Sequence, residues 1–595
     1  MRDLRRFRTH VEILKHSHPE LVVELAPEPP VQPAEISGTA DQPVLKWNGK
    51  TMHSVKSPEG EAQQVADRMS PEPARAYVAF GLGLGHLAEA ARKRLPERSA
   101  LIVIEPDLRI LRETLTCIDL RPLLFDNRIR WVSGKNWPEY FRRALRQADE
   151  SGCRPVTAIL NLPAYGIYFG PALTETRGIL AQFINERDID TGTRKELWHL
   201  WNANLANNLP ALLSSAPVRN FVAAFDQIPV VLVGAGPSLD ACLPEMRRLR
   251  ERALIVAVDT ALAPLLDADC NPDLVLAMDA QEENARDFLN LPNHSARLLF
   301  DAFCYPSIPC LYPAAARIAS QTGHVLSDIR GETVVRNGFL PALEYLLDFE
   351  FGFLQNGGSV ITAGYDLARI AGCAAVGLVG VDLSFPGYRM YSRGTNRSRY
   401  HMSIVNRHET CESKFFDELS EKAKLRVEGI GGKPVWSDRV LILYKHWMED
   451  AAAKTRLPSC IVGPAHGLAL KGYAQVSVDE FLGRFSSSRD QIETRLNRAT
   501  AARPEFNQPA ARARLAELRR DLSGLETNPA IDKIGPFDLV RWVDMASYEV
   551  GERLRTVCSV EPESEHLKRR QQASRACLQW ARLFLDGLES ALDQV

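Results

Sequence analysis

The chain has 595 residues, too many for a single hydrophobic core, and this length predicts three or four domains. Hydrophobic residues make up 45% of it and charged residues 25%, as in ordinary water-soluble globular proteins. The formal net charge of −2 gives no electrostatic reason to expect nucleic acid as a partner.

The cysteine pattern and the N-terminus bear on the compartment. Eleven cysteines are scattered without the spacing of a metal finger, a pattern typical of reduced cytoplasmic thiols. The basic N-terminus, MRDLRRFRTHVEILKHSH, lacks the apolar core of a signal peptide. No stretch approaches the ~20 apolar residues that cross a membrane. We therefore expect a cytoplasmic protein without a membrane span.

The first part of the chain predicts a small β-rich lead-in and then a Rossmann-like domain. The run AYVAFGLGLGHLAEAARKRLPERSALIVIEPD, residues 76–107, predicts a strand, a turn at Gly81, Gly83 and Gly85, a helix and a second strand ending at Glu105. In a dinucleotide or S-adenosylmethionine site, an acidic residue at that position contacts a ribose. A Rossmann-like domain without a cofactor is the favoured interpretation, because a fold-level pattern does not carry function.

A largely helical segment, residues 188–221, is interpreted as the bridge into a central domain. Its apolar residues from Trp198 to Leu209 recur at three- and four-residue steps, which predicts one apolar stripe. Its asparagines are expected to face solvent or to pack between helices: Asn202, Asn204, Asn207 and Asn208.

The central domain opens with PVVLVGAGPSLDACLPEM, residues 229–246. Its four consecutive apolar residues predict a buried parallel strand. Glycines allow a sharp turn there, and a proline suits the first position of a helix. The amides at a helix N-terminus favour an anion such as phosphate, with Ser238 or Asp240 available as a cap. The predicted binding residues are Gly234, Gly236, Pro237, Ser238 and Leu239. The alternative is a turn that binds nothing.

Three later strands are each predicted to end in an aspartate: Asp259, Asp279 and Asp301. Open parallel sheets bind ligands at the carboxyl ends of their strands. We therefore expect Asp259 with Thr260, and Asp279 with Gln281, to contact ribose, base or sugar hydroxyls.

A second glycine turn opens another predicted helix. Gly358 and Ser359 of the NGGSV motif provide a second helix N-terminus, which we expect at the same edge of the sheet. A buried strand is predicted over residues 373–381, and Asp382 follows it.

Residues 386–409 form a polar segment that combines three tyrosines with four arginines: Tyr388, Tyr391, Tyr400, Arg389, Arg393, Arg397 and Arg399. We interpret it as a lid that attracts an anionic substrate, the alternative being a solvated loop. His401 and His408 are its titratable groups. Further on, Ser437 is expected to cap a long helix, and the GPAHG turn brings His466 to the sheet edge.

The last part of the chain has helical periodicity and little evident chemistry, so we expect a C-terminal helical domain that binds a partner or closes a homo-oligomer. The predicted domains are residues 1–186, 187–480 and 481–595.

The ordered motifs GAGPSLD, NPDLVLAMD, GGSVITAGYDLARIAG, GLVGVDLSF and GPAHGLALKGY resemble the motility-associated factor (Maf) proteins. The earlier FGLGLGHL and VIEPD segments resemble the N-terminal domain of that family. The resemblance implies an α/β fold: a central Rossmann-like parallel-sheet glycosyltransferase domain, similar to bacterial sialyltransferases, between a second Rossmann-like domain and a helical domain.

The resemblance also implies an activity. Maf proteins move a nonulosonic acid, such as pseudaminic or legionaminic acid, from its CMP-activated form to Ser or Thr of flagellin, and the related sialyltransferases need no metal. No cofactor besides the CMP-sugar is expected. The chain departs from both families at the general base. Sialyltransferases have a histidine where this chain has GKPVW, and many Maf proteins have one where it has Tyr391. The catalytic candidates are Asp382, Tyr391 and His401.

Two rival functions remain at this point. A similar central domain occurs in an archaeal pterin pyrophosphokinase that uses ATP and magnesium, for which Asp259, Asp279 and Asp382 would be metal ligands. The other rival is a non-catalytic flagellin-binding or export factor, in which the glycine turns are only structural.

Overall fold

The computed structural model describes residues 3–25, 34–38, 43–150, 153–314, 316–328, 331–336, 339–422, 425–527, 533–534, 537–538 and 563–594. By their contacts these residues fall into two compact units. The first consists mainly of Met1–Gly192, and the second mainly of Thr193–Leu326, Thr333–Leu554 and Pro562–Val595.

The first unit is an α/β unit. Its helices are α1 Leu4–Ser17, α2 Pro19–Leu25, α3 Pro58–Ala66, α4 His86–Arg94, α5 Leu108–Cys117, α6 Arg121–Leu124, α7 Trp137–Glu150, α8 Pro163–Tyr168 and the start of α9, Gly170–Leu213. Its strands are β1 Ala34–Gly38, β2 Pro43–Trp47, β3 Lys50–Thr51, β4 Arg75–Phe80, β5 Ala100–Ile104, β6 Ile129–Val132 and β7 Arg154–Asn161. The expected β-rich lead-in is only partly right, since two helices precede the antiparallel sheet β1-β2-β3.

The predicted Rossmann-like unit is confirmed as a parallel sheet in the order β6-β5-β4-β7. The side chain expected to reach a ribose is turned inward: Glu105 is 2% exposed, and one of its oxygens accepts the hydroxyl of Tyr165 at 2.7 Å and the Leu82 N–H at 2.9 Å. The Tyr165 ring lies against Gly81 so closely that a Cβ there would sit 2.4 Å from it. Burial raises the pKa of Glu105 to about 7, against these hydrogen bonds. The protein's own side chains therefore fill this glycine turn.

The second unit is built on a nine-stranded sheet. The strands that follow α9 in the chain, including those outside this sheet, are β8 Ala216–Pro217, β9 Val230–Val233, β10 Leu254–Val258, β11 Leu274–Ala277, β12 Arg297–Asp301, β13 Arg317–Ser320, β14 Thr322–Asp328, β15 Gly331–Arg336, β16 Leu354–Gln355, β17 Val376–Val379, β18 Leu425–Glu428, β19 Pro434–Ser437, β20 Ser459–Val462, β21 Ala474–Val476, β22 Lys533–Ile534 and β23 Phe537–Asp538.

The large sheet has the order β21-β20-β17-β9-β10-β11-β12-β13-β8, and all its pairings are parallel. The central strands are fully buried runs of Val, Leu, Ile and Ala, with the single glycine Gly377 in β17, as a sheet covered by helices on both faces requires. The predicted α/β class and the parallel sheet are therefore confirmed.

The helices of this unit continue the chain order after α9. They are α10 Leu239–Cys242, α11 Met246–Arg250, α12 Asp259–Asp267, α13 Ser307–Leu311, α14 Leu340–Leu347, α15 Val360–Ile370, α16 Asn396–Ile404, α17 Cys411–Lys422, α18 Arg439–Thr455, α19 Val478–Arg484, α20 Arg489–Ala501, α21 Gln508–Thr527 and α22 Glu563–Gln594. Short 3₁₀ turns lie at Val218–Phe221, Leu243–Glu245, Glu282–Phe288, Pro386–Tyr388 and Ile430–Gly432. Within the described ranges, no helix has the length and apolar character that crossing a bilayer requires.

The asparagines of α9 are not solvent-facing in general, which corrects one reading of the sequence. The Asn204 amide donates to the carbonyls of Ala280 at 2.9 Å and Phe303 at 3.0 Å. Asn208, fully buried, donates to Ala302 at 3.1 Å and to Cys304 at 2.8 Å. The helix is thereby fixed to the chain segments that follow β11 and β12.

The C-terminal helices pack onto the same hydrophobic core as the sheet. Leu518 of α21 and Phe584 of α22 belong to a cluster with Phe300 of β12 and Phe339, whose ring stacks on that of Phe584. Because these helix faces are buried against the core, they stabilise the second unit and are not available to a partner. The division into three predicted domains stays a prediction.

Candidate functional site

Two strand ends meet at the centre of the carboxyl edge of the sheet. The turn after β9 is bonded to the turn after β17, because the Gly234 N–H donates to Val379 at 2.8 Å and the Gly236 N–H to Gly380 at 2.7 Å. A Cβ on Gly236 would lie 2.5 Å from a carboxylate oxygen of Asp382. The glycines are therefore required for close packing of one turn on the other.

Asp382 occupies the position that the sequence predicts for a bound anion. Its Oδ2 accepts the Ser238 N–H at 2.8 Å, and the residue is 3% exposed. Burial raises its pKa, and the hydrogen bonds from Ser238 oppose that shift. The Leu239 N–H is also bonded internally, to the Gly236 carbonyl at 3.0 Å. The predicted ring of amides is thus largely satisfied by the protein itself.

Neither predicted cap of this turn acts as one. The Ser238 side chain makes no capping hydrogen bond, and the helix that follows, α10, is only four residues long. Asp240 points to the lid, where it accepts Arg389 at 2.7 Å and the Arg393 N–H at 2.8 Å.

His466 stands beside Asp382, and the list of catalytic candidates drawn from the sequence omits it. The GPAHG turn is pressed onto the strand end: the Leu468 N–H donates to the Asp382 carbonyl at 2.8 Å, and a Cβ on Gly467 would lie 2.2 Å from that oxygen. His466 itself is exposed, and a positive charge on it favours the Asp382 carboxylate. The sequence does place His466 in the turn after the last predicted strand, and that position was the signal that could have identified it as a candidate.

The second glycine turn is also rigidly built. The side-chain oxygen Oδ1 of Asn356 accepts the Gly358 N–H at 2.8 Å and the Thr362 hydroxyl at 2.9 Å. Ser359 is the N-cap residue of α15, and its side chain makes no capping hydrogen bond. The Thr362 N–H donates to the Ser359 carbonyl at 2.9 Å. Since the first amides of a helix have no partner within it, those of Val360 and Ile361 are the donors that the N-terminus of α15 offers toward the carboxyl edge.

Aromatic residues of α18 cover this second turn. A Cβ on Gly357 would lie 2.4 Å from the Trp447 ring, and one on Gly358 would lie 2.9 Å from Tyr444. Burial raises the pKa of Tyr444, and the charge of Asp279 adds to the effect. The second turn and Asp279 therefore border the same space.

A group of carboxylates lies beside that space. Asp259 is 4% exposed, and its Oδ1 accepts the Thr260 N–H at 2.8 Å, whereas its Oδ2 is buried without a hydrogen-bond partner among the described residues. Burial raises the pKa of Asp259 well above its usual value, and the charges of Asp279 and Asp287 add to this. The Thr260 hydroxyl lies 3.3 Å from Asp287, whose pKa burial raises to about 6. The Oδ2 of Asp259 is therefore an acceptor that the described residues leave unused.

Asp279 and Gln281 form the second predicted pair of binding residues, and both are exposed. Asp279 reaches solvent and accepts the Asn284 amide at 2.6 Å, yet the protein crowded around it disfavours its charge and raises its pKa. Gln281 is exposed at the start of a 3₁₀ turn. Asp301, in contrast, is 2% exposed and bonded to the Phe303 N–H at 2.9 Å, which makes it a structural residue.

The predicted lid is a helical element rather than a simple loop. It contains the 3₁₀ turn Pro386–Tyr388 and helix α16, and α17 follows it. Ser392 donates its N–H to the Ala235 carbonyl at 2.8 Å, and Arg399 forms an ion pair with Asp267 of α12. The lid is thus anchored to the turn after β9 and to the helix after β10.

The remaining predicted residues lie within or near the lid. His401 is 5% exposed and packs on Phe415 of α17, and Tyr391 lines a cavity between the lid and α17. The predicted cap at Ser437 is wrong. Asp438 caps α18 by accepting the Leu441 N–H at 2.7 Å, and the Ser437 hydroxyl donates to the Leu383 carbonyl at 2.9 Å.

The carboxyl edge thus combines donors at the N-terminus of α15, acceptors on Asp259 and Asp279, and an exposed histidine beside Asp382. In the part of the chain that the structure describes, no three His, Cys, Asp or Glu side chains are grouped to hold a metal ion. The arrangement suits a ligand with a phosphate, several hydroxyls and a group that loses a proton.

Parts of this chain are similar to a known protein family and to known proteins. The profile of a family described as "6-hydroxymethylpterin diphosphokinase MptE-like" matches residues 203–387. Two proteins of Treponema pallidum (strain Nichols), described only as uncharacterized, are 21% and 24% identical over 280 and 214 residues, or 47% and 35% of this chain. The chain spans about half of the first relative, 48%, and 70% of the second.

A solved structure extends the likeness to the whole chain. The Maf glycosyltransferase of Magnetospirillum magneticum AMB-1 matches with a TM-score of 0.57 and 15% identity, over 99% of this chain and 95% of that one. At this identity the match concerns the fold. The resemblance predicted from the sequence is confirmed on that level: the chain has the fold of a Maf glycosyltransferase.

Proposed function

We propose that this chain is a glycosyltransferase that moves a nonulosonic acid from a CMP-activated donor to a Ser or Thr hydroxyl of flagellin. The observation that carries the proposal is the whole-chain fold likeness to a Maf glycosyltransferase. The enzyme would act in the cytoplasm, without a metal ion or other cofactor, and serve flagellum assembly and motility.

The donor is proposed to bind along the carboxyl edge, with its phosphate at the N-terminus of α15. The Thr362 N–H of that helix donates to the Ser359 carbonyl at 2.9 Å, and the amides of Val360 and Ile361 receive no cap from the Ser359 side chain. The amides of Gly236, Ser238 and Leu239, in contrast, are all bonded within the protein. A helix N-terminus stabilises the negative charge that grows on the phosphate as CMP departs. The turn after β9 then supports the site and does not itself hold phosphate.

The nucleoside and the sugar are proposed to lie over the carboxylates. Asp259 has a buried oxygen without a partner in the part of the chain that the structure describes, and Asp279 is accessible, so both suit hydroxyl or amino donors. Thr260 and Gln281 flank these two groups. The raised pKa values of Asp259 and Asp279 favour the uncharged form of each carboxyl group, and that form repels an anionic donor less than a carboxylate does.

We assign the general base to His466. The acceptor oxygen attacks the anomeric carbon, the bond from that carbon to the phosphate oxygen breaks, and CMP leaves with the electron pair. The proton of the attacking hydroxyl passes to the imidazole. His466 is exposed, while Asp382 and His401 are 3% and 5% exposed, so of these three His466 is the one that an acceptor can reach. The Asp382 carbonyl accepts the Leu468 N–H and so fixes the turn that presents His466.

A pterin-type pyrophosphokinase is the second candidate, and the family profile over residues 203–387 favours it. In that case ATP with magnesium would occupy the carboxyl edge, near the carboxylates of Asp259 and Asp279. The two candidates differ in the nucleotide that binds.

Transfer and nucleotide binding test the proposal together. Purified protein, flagellin of the same organism and CMP-pseudaminic or CMP-legionaminic acid should give flagellin with the mass of the added sugar, in the presence of a chelator. CMP should raise the melting temperature as mass action requires. No transfer from either donor, together with stabilisation by ATP and magnesium alone, would overturn the transferase in favour of the pyrophosphokinase.

A further inference from the structure

A cavity of about 700 Å³ lies between the lid and helix α17, apart from the donor groups described above. Its apolar wall consists mainly of aromatic and aliphatic side chains: Tyr388, Met402, Phe415, Phe416, Leu419 and Trp436. Arg389, Arg393 and Glu412 add polar groups to the wall. A cavity of this size and lining is typical of a binding site.

The apolar surface continues from the cavity wall to its rim. Three side chains of the wall also reach solvent, Tyr388 at 66%, Met402 at 61% and Phe416 at 70% exposure. Three further exposed side chains lie outside the cavity lining: Tyr400 at 49%, Ile404 at 38% and Val405 at 37%. An enclosed small molecule needs no such rim, whereas a polypeptide that crosses the surface covers both the cavity and its rim. The shape of the apolar surface therefore favours a chain segment as the occupant.

The cavity is joined to the proposed reaction site through its own wall. Arg389 and Arg393, which line it, are both bonded to Asp240, two residues after Ser238. Ser392, also in the wall, donates to Ala235 of the turn that packs on Asp382. A polypeptide segment bound in the cavity thus lies next to the turn after β9, which packs on Asp382.

We propose that this cavity and its rim dock the acceptor polypeptide, by taking apolar side chains that lie near the glycosylated Ser or Thr. The inference rests on the proposed function. The apolar side chains enter between the lid and α17, the arginines and Glu412 meet the polar backbone of the segment, and the hydroxyl is held toward His466. The lid then selects the acceptor, and the carboxyl edge of the sheet binds the donor.

The test compares exposed apolar residues inside and outside this surface. Met402 and Phe416 are both exposed, so the double variant Met402→Ser/Phe416→Ser should remain folded. The matched control is Leu311→Ser, because Leu311 is 78% exposed on α13 of the same unit and does not line the cavity. We expect the double variant to raise the KM for flagellin about tenfold, with kcat and stabilisation by CMP unchanged and the control like the wild type.

Direct binding separates this inference from the proposed function. Flagellin is immobilised and the wild type and variants are passed over it without donor. Binding by the wild type that the double variant loses supports the docking surface even if no sugar is transferred, in which case the transferase proposal alone fails.

Three results would overturn the docking proposal. Equal KM and equal binding for double variant and control show that flagellin docks elsewhere. A self-association that only the double variant loses, with flagellin binding intact, makes a second copy the occupant. A copurified apolar compound present in the wild type and absent from the double variant, again with flagellin binding intact, makes it a small-molecule site.

Discussion

Replacing Gly236 by alanine tests how closely the two central turns must pack. The added Cβ would lie 2.5 Å from the Asp382 carboxylate and 2.7 Å from the Gly380 carbonyl, whereas real side chains keep at least 3.0 Å. The strand ends must separate by about 0.5 Å, and such overpacking costs about 1–3 kcal/mol. Losing the hydrogen bond from Ser238 to the buried carboxylate adds about 1.5–3 kcal/mol. We expect the free energy of unfolding to fall by about 2.5–6 kcal/mol.

Urea unfolding followed by tryptophan fluorescence measures this loss as a lower midpoint at an unchanged m-value. Gly483→Ala is the matched control, because Gly483 lies in α19 and a Cβ there meets nothing within 4 Å. That substitution should stabilise the protein by about 0.5–1 kcal/mol. If Gly236→Ala unfolds at the midpoint of the wild type, the glycine is not needed for packing against Asp382, and the account of this turn is wrong.

Three further predictions concern buried polar groups. The folded-state pKa of Asp287, about 6, lies above its unfolded value, so stability from this group is present below pH 4 and is lost as the pH rises through 6. Asp287→Asn should therefore add up to about 3 kcal/mol at pH 8 and little at pH 4, as urea titrations at both pH values will show, with exposed Asp226→Asn as control. Asn208→Ala leaves two strand-end carbonyls without a donor and should cost about 1–3 kcal/mol in the same assay. Tyr165→Phe removes the hydroxyl that bridges Glu105 and the Gly83 N–H, so the melting temperature should fall, and an unchanged one would contradict that role.

The sequence predicts the central strands of both parallel sheets well, because each is a short apolar run that ends in a turn signal. Several outer strands were not predicted: β6, β7, β8, β13 and β21. Val230–Val233 and Leu254–Val258 are the strands expected. The strand predicted over residues 373–381 shortens to Val376–Val379, since the parallel ladder ends where Gly380 turns to meet Gly234. Apolar periodicity locates a strand but does not give the point at which its pairing stops.

Hydrogen-bond partners were harder to predict than elements. The sequence gives Ser238 as a local cap, yet its amide is bonded to Asp382, 144 residues away. Ser437 and Asp438 are both plausible caps, and the choice depends on the Leu383 carbonyl, which takes the hydroxyl of Ser437. Asn208 likewise depends on carbonyls of Ala302 and Cys304. These choices require tertiary contacts, which a single sequence does not contain.

The long sequence separation between Ser238 and Asp382 also affects how the protein is made. Strand β9 can pair with β10 as soon as both have left the ribosome, but its other edge must wait for β17. Contacts between distant parts of a chain form slowly, because the intervening loop must first be closed. An unpaired strand edge is prone to wrong association during that time. The centre of the carboxyl edge is therefore among the last parts to assemble, and a chain truncated before Val376 would expose the edge of β9.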